Sequence, residues 1–149
     1  MVKNVSYLTD LSTGNLGCGV QREWGEYGIC LYTVNQNGQD YRACVDTWLN
    51  AVLEFDRRWP LEQPHLVLHD IRELSFSHYA VWRATQLAKE APYRQRGYEA
   101  LVIKPNTTGT MALFAINKVI APFIGTIEVQ SFFDYNEAFK WLKQMAVRQ

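Results

Sequence analysis

This chain of 149 residues lacks any excess of charge: Lys plus Arg and Asp plus Glu number 15 each. The small basic clusters, Arg57-Arg58 and Arg94 to Arg96, are interrupted by apolar, polar or acidic neighbours, so no basic stripe is available to neutralise phosphates. Nucleic acid is therefore not an expected partner. Long apolar runs are missing as well. None approaches the roughly 20 residues that span a bilayer, and Asn4, Ser6, Thr9 and Asp10 break up what would be a signal-peptide core. The expectation is a soluble, cytoplasmic protein with no membrane insertion. Cysteine is scarce: Cys18, Cys30 and Cys44 are odd in number and contain no CxxC pair. They form neither a disulfide framework nor a zinc knuckle, and read as small buried hydrophobes. Walker loop, dinucleotide fingerprint and G-x-S-x-G elbow are all absent. The sequons at Asn4 and Asn106 carry little weight outside a secretory route.

What is present is enough for one self-sufficient core. The chain is 48% hydrophobic and 13% aromatic, and a chain of this length buries about two-thirds of the surface its unfolded form exposes. Residues 1–16, with Asp10, Ser12, Thr13, Gly14 and Asn15, read as a turn-rich extension, and residues 17–149 as a single domain. Two strand-like runs, 17–24 and 27–34, flank Gly25-Glu26, whose glycine suits the first position of a type II′ hairpin turn. Tyr41, Cys44, Val45, Trp48, Leu49, Val52 and Leu53 recur at helical spacing, with Arg42, Asp46, Asn50, Glu54 and Asp56 assigned to the rest of the wheel, and Pro60 and Pro64 ending the helix. Strands are expected at 65–69, 98–103 and 126–133. Helices between and after them are expected to be capped by Ser77, by Thr107 or Thr108, and by Asp134 with Glu137 as a capping box. The order ββαβαβαβα, with about four helices, predicts an α/β fold with a leading hairpin and a mixed, mostly parallel sheet.

Few residues offer chemistry. His65, His69 and His78, with Asp70, resemble a ligand set, but strand residues four apart are separated by roughly 13 Å. His65 and His69 are thus not expected to share an ion, and sit instead at the two ends of a buried strand. Neither metal nor cofactor is expected. Asp70 and His78 fall at the carboxyl end of that strand, where an acid and base pair is conceivable. Lys104 to Thr110 joins a strand to a helix, a place that favours anions, although ordinary capping explains it better. The aromatics Trp48, Trp59, Trp82, Phe114, Phe123 and Trp141 read first as core. Trp82, Met111, Phe114 and Phe123 are the alternative lining of a pocket between sheet and helices for a small apolar ligand or lipid.

The order of elements resembles that of STAS domains, the sulfate-transporter and anti-sigma-factor-antagonist family, over residues 17–147. The resemblance is carried by Leu66-Val67-Leu68-His69-Asp70-Ile71-Arg72-Glu73-Leu74-Ser75-Phe76-Ser77, an apolar strand followed by an acidic residue, a short polar step and a hydrophobic residue before a helix. Phe132-Phe133-Asp134-Tyr135-Asn136-Glu137-Ala138-Phe139-Lys140-Trp141-Leu142 is similar to the family's last strand and acidic-start helix. Phosphorylatable members carry a D-S-S-G-like step, whereas this chain reads Phe76-Ser77-His78-Tyr79 without the glycine. The resemblance therefore implies a non-enzymatic regulatory or interaction module rather than a phospho-switch. It would bind a protein partner through Asp70, Arg72, Glu73, Ser77, His78 and Tyr79, with homodimerisation left open.

Overall fold

The computed structural model describes residues 11–60, 62–75, 77–90, 96–106, 109–111, 113 and 127–148. Its centre is a six-stranded mixed sheet in which spatial order follows chain order: β1 (Gly14–Gly17), β2 (Val20–Trp24), β3 (Cys30–Asn35), β4 (His65–Glu73), β5 (Gly97–Val102) and β6 (Ile127–Phe132). The pairs β1–β2 and β2–β3 are antiparallel, and β3–β4, β4–β5 and β5–β6 are parallel. This is the predicted α/β class with its leading hairpin and mostly parallel sheet. β1 adds a strand from the segment assigned to the N-terminal extension, and Leu11 just before it is buried.

The hairpin does not turn at Gly25-Glu26. Trp24 pairs with Cys30, which leaves a five-residue loop with a single 3-10 turn at Glu26–Gly28. Gly25 has φ −98, and the left-handed positions are Tyr27 at φ 60 and Gly28 at φ 71. Once Tyr27 takes the left-handed conformation, a two-residue II′ loop is no longer required.

Helix α1 (Tyr41–Arg58) begins where the Asp40 carboxylate accepts a hydrogen bond from Ala43 N–H at 3.0 Å, and ends with Arg57 and Arg58 near its negative pole. α2 (His78–Glu90) follows β4, and α3 (Tyr135–Val147) closes the described fold. Asp134 caps α3 by accepting from Glu137 N–H at 3.0 Å. Ser77 stands just before α2, yet its hydroxyl is spent on Tyr41 (2.7 Å) rather than on capping. Gly109 to Met111 are helical, and their start is capped by Asn106, whose Oδ1 accepts from Gly109 N–H at 2.9 Å. Thr107 and Thr108, the expected caps, lie outside the described residues.

Strand alternation divides the core in two. Cys30, Tyr32, Val34, Val67, Leu101 and Ile103 face α1 and α2, whereas Leu66, Leu68, Ala100 and Val102 face Ala138 and Leu142 of α3. β4 runs four residues past His69. The two histidines are therefore not at opposite rims as expected: His65 is fully buried and His69 nearly so.

Candidate functional site

A chain of buried polar groups crosses the face of the sheet beneath α1. Arg22 on β2 is almost completely buried, and each of its nitrogens has an acceptor: Nε donates to the Tyr32 hydroxyl (3.2 Å), Nη1 to Ser12 O (3.0 Å) and Nη2 to Ala51 O (2.9 Å). A buried guanidinium is tolerated only when its donors are met in this way. Tyr32 in turn stacks on the His69 ring, with centroids 5.4 Å apart and planes 8° from parallel.

His69 is oriented by Trp48 of α1, whose indole N–H donates to Nδ1 at 3.1 Å. With Nδ1 accepting, the ring's proton sits on Nε2, which lies 3.5 Å from Glu99 Oε1. Glu99 is in register with Val67, midway between the two histidines on β4, and the same oxygen is 3.7 Å from His65 Nε2. Asp56, in the last turn of α1, brings Oδ1 to 3.9 Å from His65 Nδ1. One donor atom from each of Asp56, His65 and Glu99 lies within 4.8 Å of the other two. Phe55 and Trp59 set their rings edge-on to His65.

Burial acts on both carboxyls of the cluster and on a neighbouring thiol. It pushes the Asp56 carboxyl well above its usual range, with the Glu99 charge adding to the effect. Burial also pushes Glu99 upward, but the hydrogen bond and proximity of His69, and then His65, overcome it and hold this carboxyl below its usual range. The Cys30 thiol beside Tyr32 is pushed up to about 12 by burial.

Neither Asp56 nor Glu99 was singled out by the sequence, although each carried a signal. Asp56 follows Trp48 by eight residues and Val52 by four, which puts it on the apolar stripe of α1 rather than on the solvent side. Glu99 alternates with Leu101 and Ile103 on the covered face of β5.

The surface residues expected from the sequence lie elsewhere, at the carboxyl end of β4 and the start of α2. Arg72 grips the Asp70 carboxylate with Nε at 2.9 Å and Nη2 at 2.8 Å. Among the described residues no hydrogen bond or ion pair joins Asp70 to His78, so the acid and base pair is not assembled. Glu73 pairs with Lys104 at 3.4 Å across an open cleft of about 190 Å³ that also borders Gln36, Ser75 and Asn106.

Beside this cleft, α1 and α2 share an aromatic patch. The Tyr79 hydroxyl donates to Asp46 (2.6 Å), Arg42 lies over the Tyr79 ring (4.9 Å), Arg83 reaches Asp46 (3.3 Å), and Trp82 packs against Tyr79 with centroids 5.9 Å apart. Trp82 and Met111, expected inside an apolar pocket, are instead 55% and 44% exposed. Phe114 and Phe123 lie outside the described residues.

Together the fold and these two places define an α/β protein with a buried His and carboxylate cluster beneath α1 and, between α1 and α2, a polar and aromatic patch that bears the exposed Trp82. No protein-family model matches the chain, and neither curated proteins nor solved structures provide a match.

Proposed function

We propose that the protein is a non-enzymatic, STAS-like regulatory module that captures a protein partner with the surface running from Asp70 to Trp82. The observation that carries this reading is the exposure of Trp82, 55%, packed on Tyr79 of a patch already ordered by Arg42, Asp46 and Arg83. Tryptophan, tyrosine and arginine dominate the energetic centres of protein interfaces, and side chains ordered beforehand lose little freedom on binding. Supporting it further, Ser77 donates to the Tyr41 hydroxyl through both its backbone N–H (3.2 Å) and its Oγ (2.7 Å), which fixes the β4–α2 connection onto α1. The engaged Ser77 hydroxyl and the missing glycine step both favour constitutive docking over a phosphorylation switch. Among the described residues no helix is long and apolar enough to cross a membrane.

The test compares pull-downs from host lysate and thermal melts for wild type, Trp82→Ala, His78→Ala and, as a control on the opposite edge, Glu128→Ala. Trp82→Ala is expected to lose a partner that Glu128→Ala retains, with all the melts alike. Identical capture by wild type and Trp82→Ala would exclude this surface.

A further inference from the structure

We propose that Asp56, His65 and Glu99 form a binding site for one divalent transition-metal ion of the zinc or manganese class. The three residues come from α1, β4 and β5, and one donor atom of each lies within 4.8 Å of the others. Asp56 Oδ1 lies 3.9 Å from His65 Nδ1 and Glu99 Oε1 lies 3.7 Å from His65 Nε2, so an ion would take one of these nitrogens and draw the carboxylate beside the other toward it. Donors that each sit about 2.0–2.2 Å from a zinc ion are themselves roughly 3.4 Å apart in a tetrahedral arrangement. The donor atoms, one from each residue and within 4.8 Å of one another, reach that spacing with a modest contraction of the cluster around the ion.

Donor chemistry narrows the choice of ion. One imidazole with two carboxylates and no thiolate suits zinc, manganese or ferrous iron, and supplies too few oxygens for the six to eight that calcium takes. Charge argues the same way: the side chains of Asp56 and Glu99 are only 10% and 14% exposed, and a poorly solvated carboxylate is better accommodated beside a bound cation. Supporting groups are already in place. Glu99 Oε1 is also approached by His69 Nε2 at 3.5 Å, and Trp48 fixes that imidazole in turn, the kind of outer contact that orients metal ligands. His65 is held from the far side by Gly97, where an added Cβ would come within 2.3 Å of the ring. The sequence pointed to no metal because the set visible in it was His65, His69, His78 and Asp70, whereas Asp56 and Glu99 belong to other elements.

The experiment titrates cobalt(II), a coloured stand-in for zinc, into chelator-stripped protein and reads visible absorption together with the melting temperature. Wild type is expected to take up one equivalent, to show ligand-field bands without a sulfur-to-cobalt charge-transfer band, and to melt at a higher temperature when loaded. Asp56→Asn and Glu99→Gln, which keep side-chain shape, should each weaken uptake about tenfold or more, whereas Cys18→Ser should leave it unchanged. Absence of saturable uptake by wild type overturns the proposal without reference to any variant. A sulfur-to-cobalt band, or equal uptake by folded Asp56→Asn and Glu99→Gln, overturns it as well.

Discussion

His69 is held from two sides, by the Trp48 indole N–H and by the parallel ring of Tyr32. Replacing Trp48 with Phe keeps much of the apolar bulk but removes the donor, leaving Nδ1 as a buried acceptor with nothing to accept. The expected loss is about 1–3 kcal/mol, measured by urea denaturation of the two proteins. A loss within error of zero would show that the indole contributes only packing. The cysteines give a second residue-scale expectation. Thiolate is the reactive form, and burial pushes Cys30 up to about 12 and raises Cys44 as well, while Cys18 is half-buried. Native protein should therefore show one fast-reacting thiol toward a disulfide reagent, and denatured protein all three. Mass spectrometry that finds Cys30 labelled first would contradict its placement.

At the scale of elements, α1 and α3 each start on an aspartate whose carboxylate accepts from the backbone three residues on. Asp40→Ala and Asp134→Ala should each cost about 0.5–2 kcal/mol, with the local character of the loss visible as faster amide exchange in the first turn of the affected helix. Asp40 was not singled out as the cap of α1, whereas the start of α3 was legible in the sequence because capping depends on residues adjacent in the chain. Pro60 marked the end of α1 for the same reason. The hairpin loop was misread because Gly25 offers a left-handed conformation that it does not use, and Tyr27 uses one that its side chain gave no reason to expect. The parallel order of β4 to β6 was legible from the alternation of strand and helix lengths. The buried cluster was not, because its assembly depends on the register that sets Glu99 opposite Val67, and such a register is fixed by the whole sheet rather than by neighbouring residues.

For the whole molecule, the cluster makes stability depend on pH in two opposing directions. Asp56 has a folded pKa above its unfolded one, so the folded state holds the extra proton, and stability is lost as pH rises through the raised value. Glu99 has a folded pKa below its unfolded one, so its contribution is present at neutral pH and is lost as pH falls through the depressed value. Melts in the presence of chelator should therefore trace a maximum flanked by an acid-side and an alkaline-side decline. Asp56→Asn should flatten the alkaline side, and Glu99→Gln should flatten the acid side and also soften the alkaline one, because the Glu99 charge adds to the raising of Asp56. Parallel curves for wild type and Asp56→Asn would mean that Asp56 ionises normally.

The sheet's strand order, the same in space as along the chain, has a further consequence for how the protein comes into being. Each strand from β2 to β6 joins an edge formed by the strand made just before it, so a chain growing from its N-terminus can extend the sheet one step at a time without opening any finished pairing. The last helix breaks this convenience. α3 covers Leu66, Leu68, Ala100 and Val102, residues made long before it, so among the described residues the cover of that apolar face arrives only with α3. A chain that stops at Asp134 would lack Ala138 and Leu142 from that face, and should be recovered as aggregate rather than as a smaller folded protein.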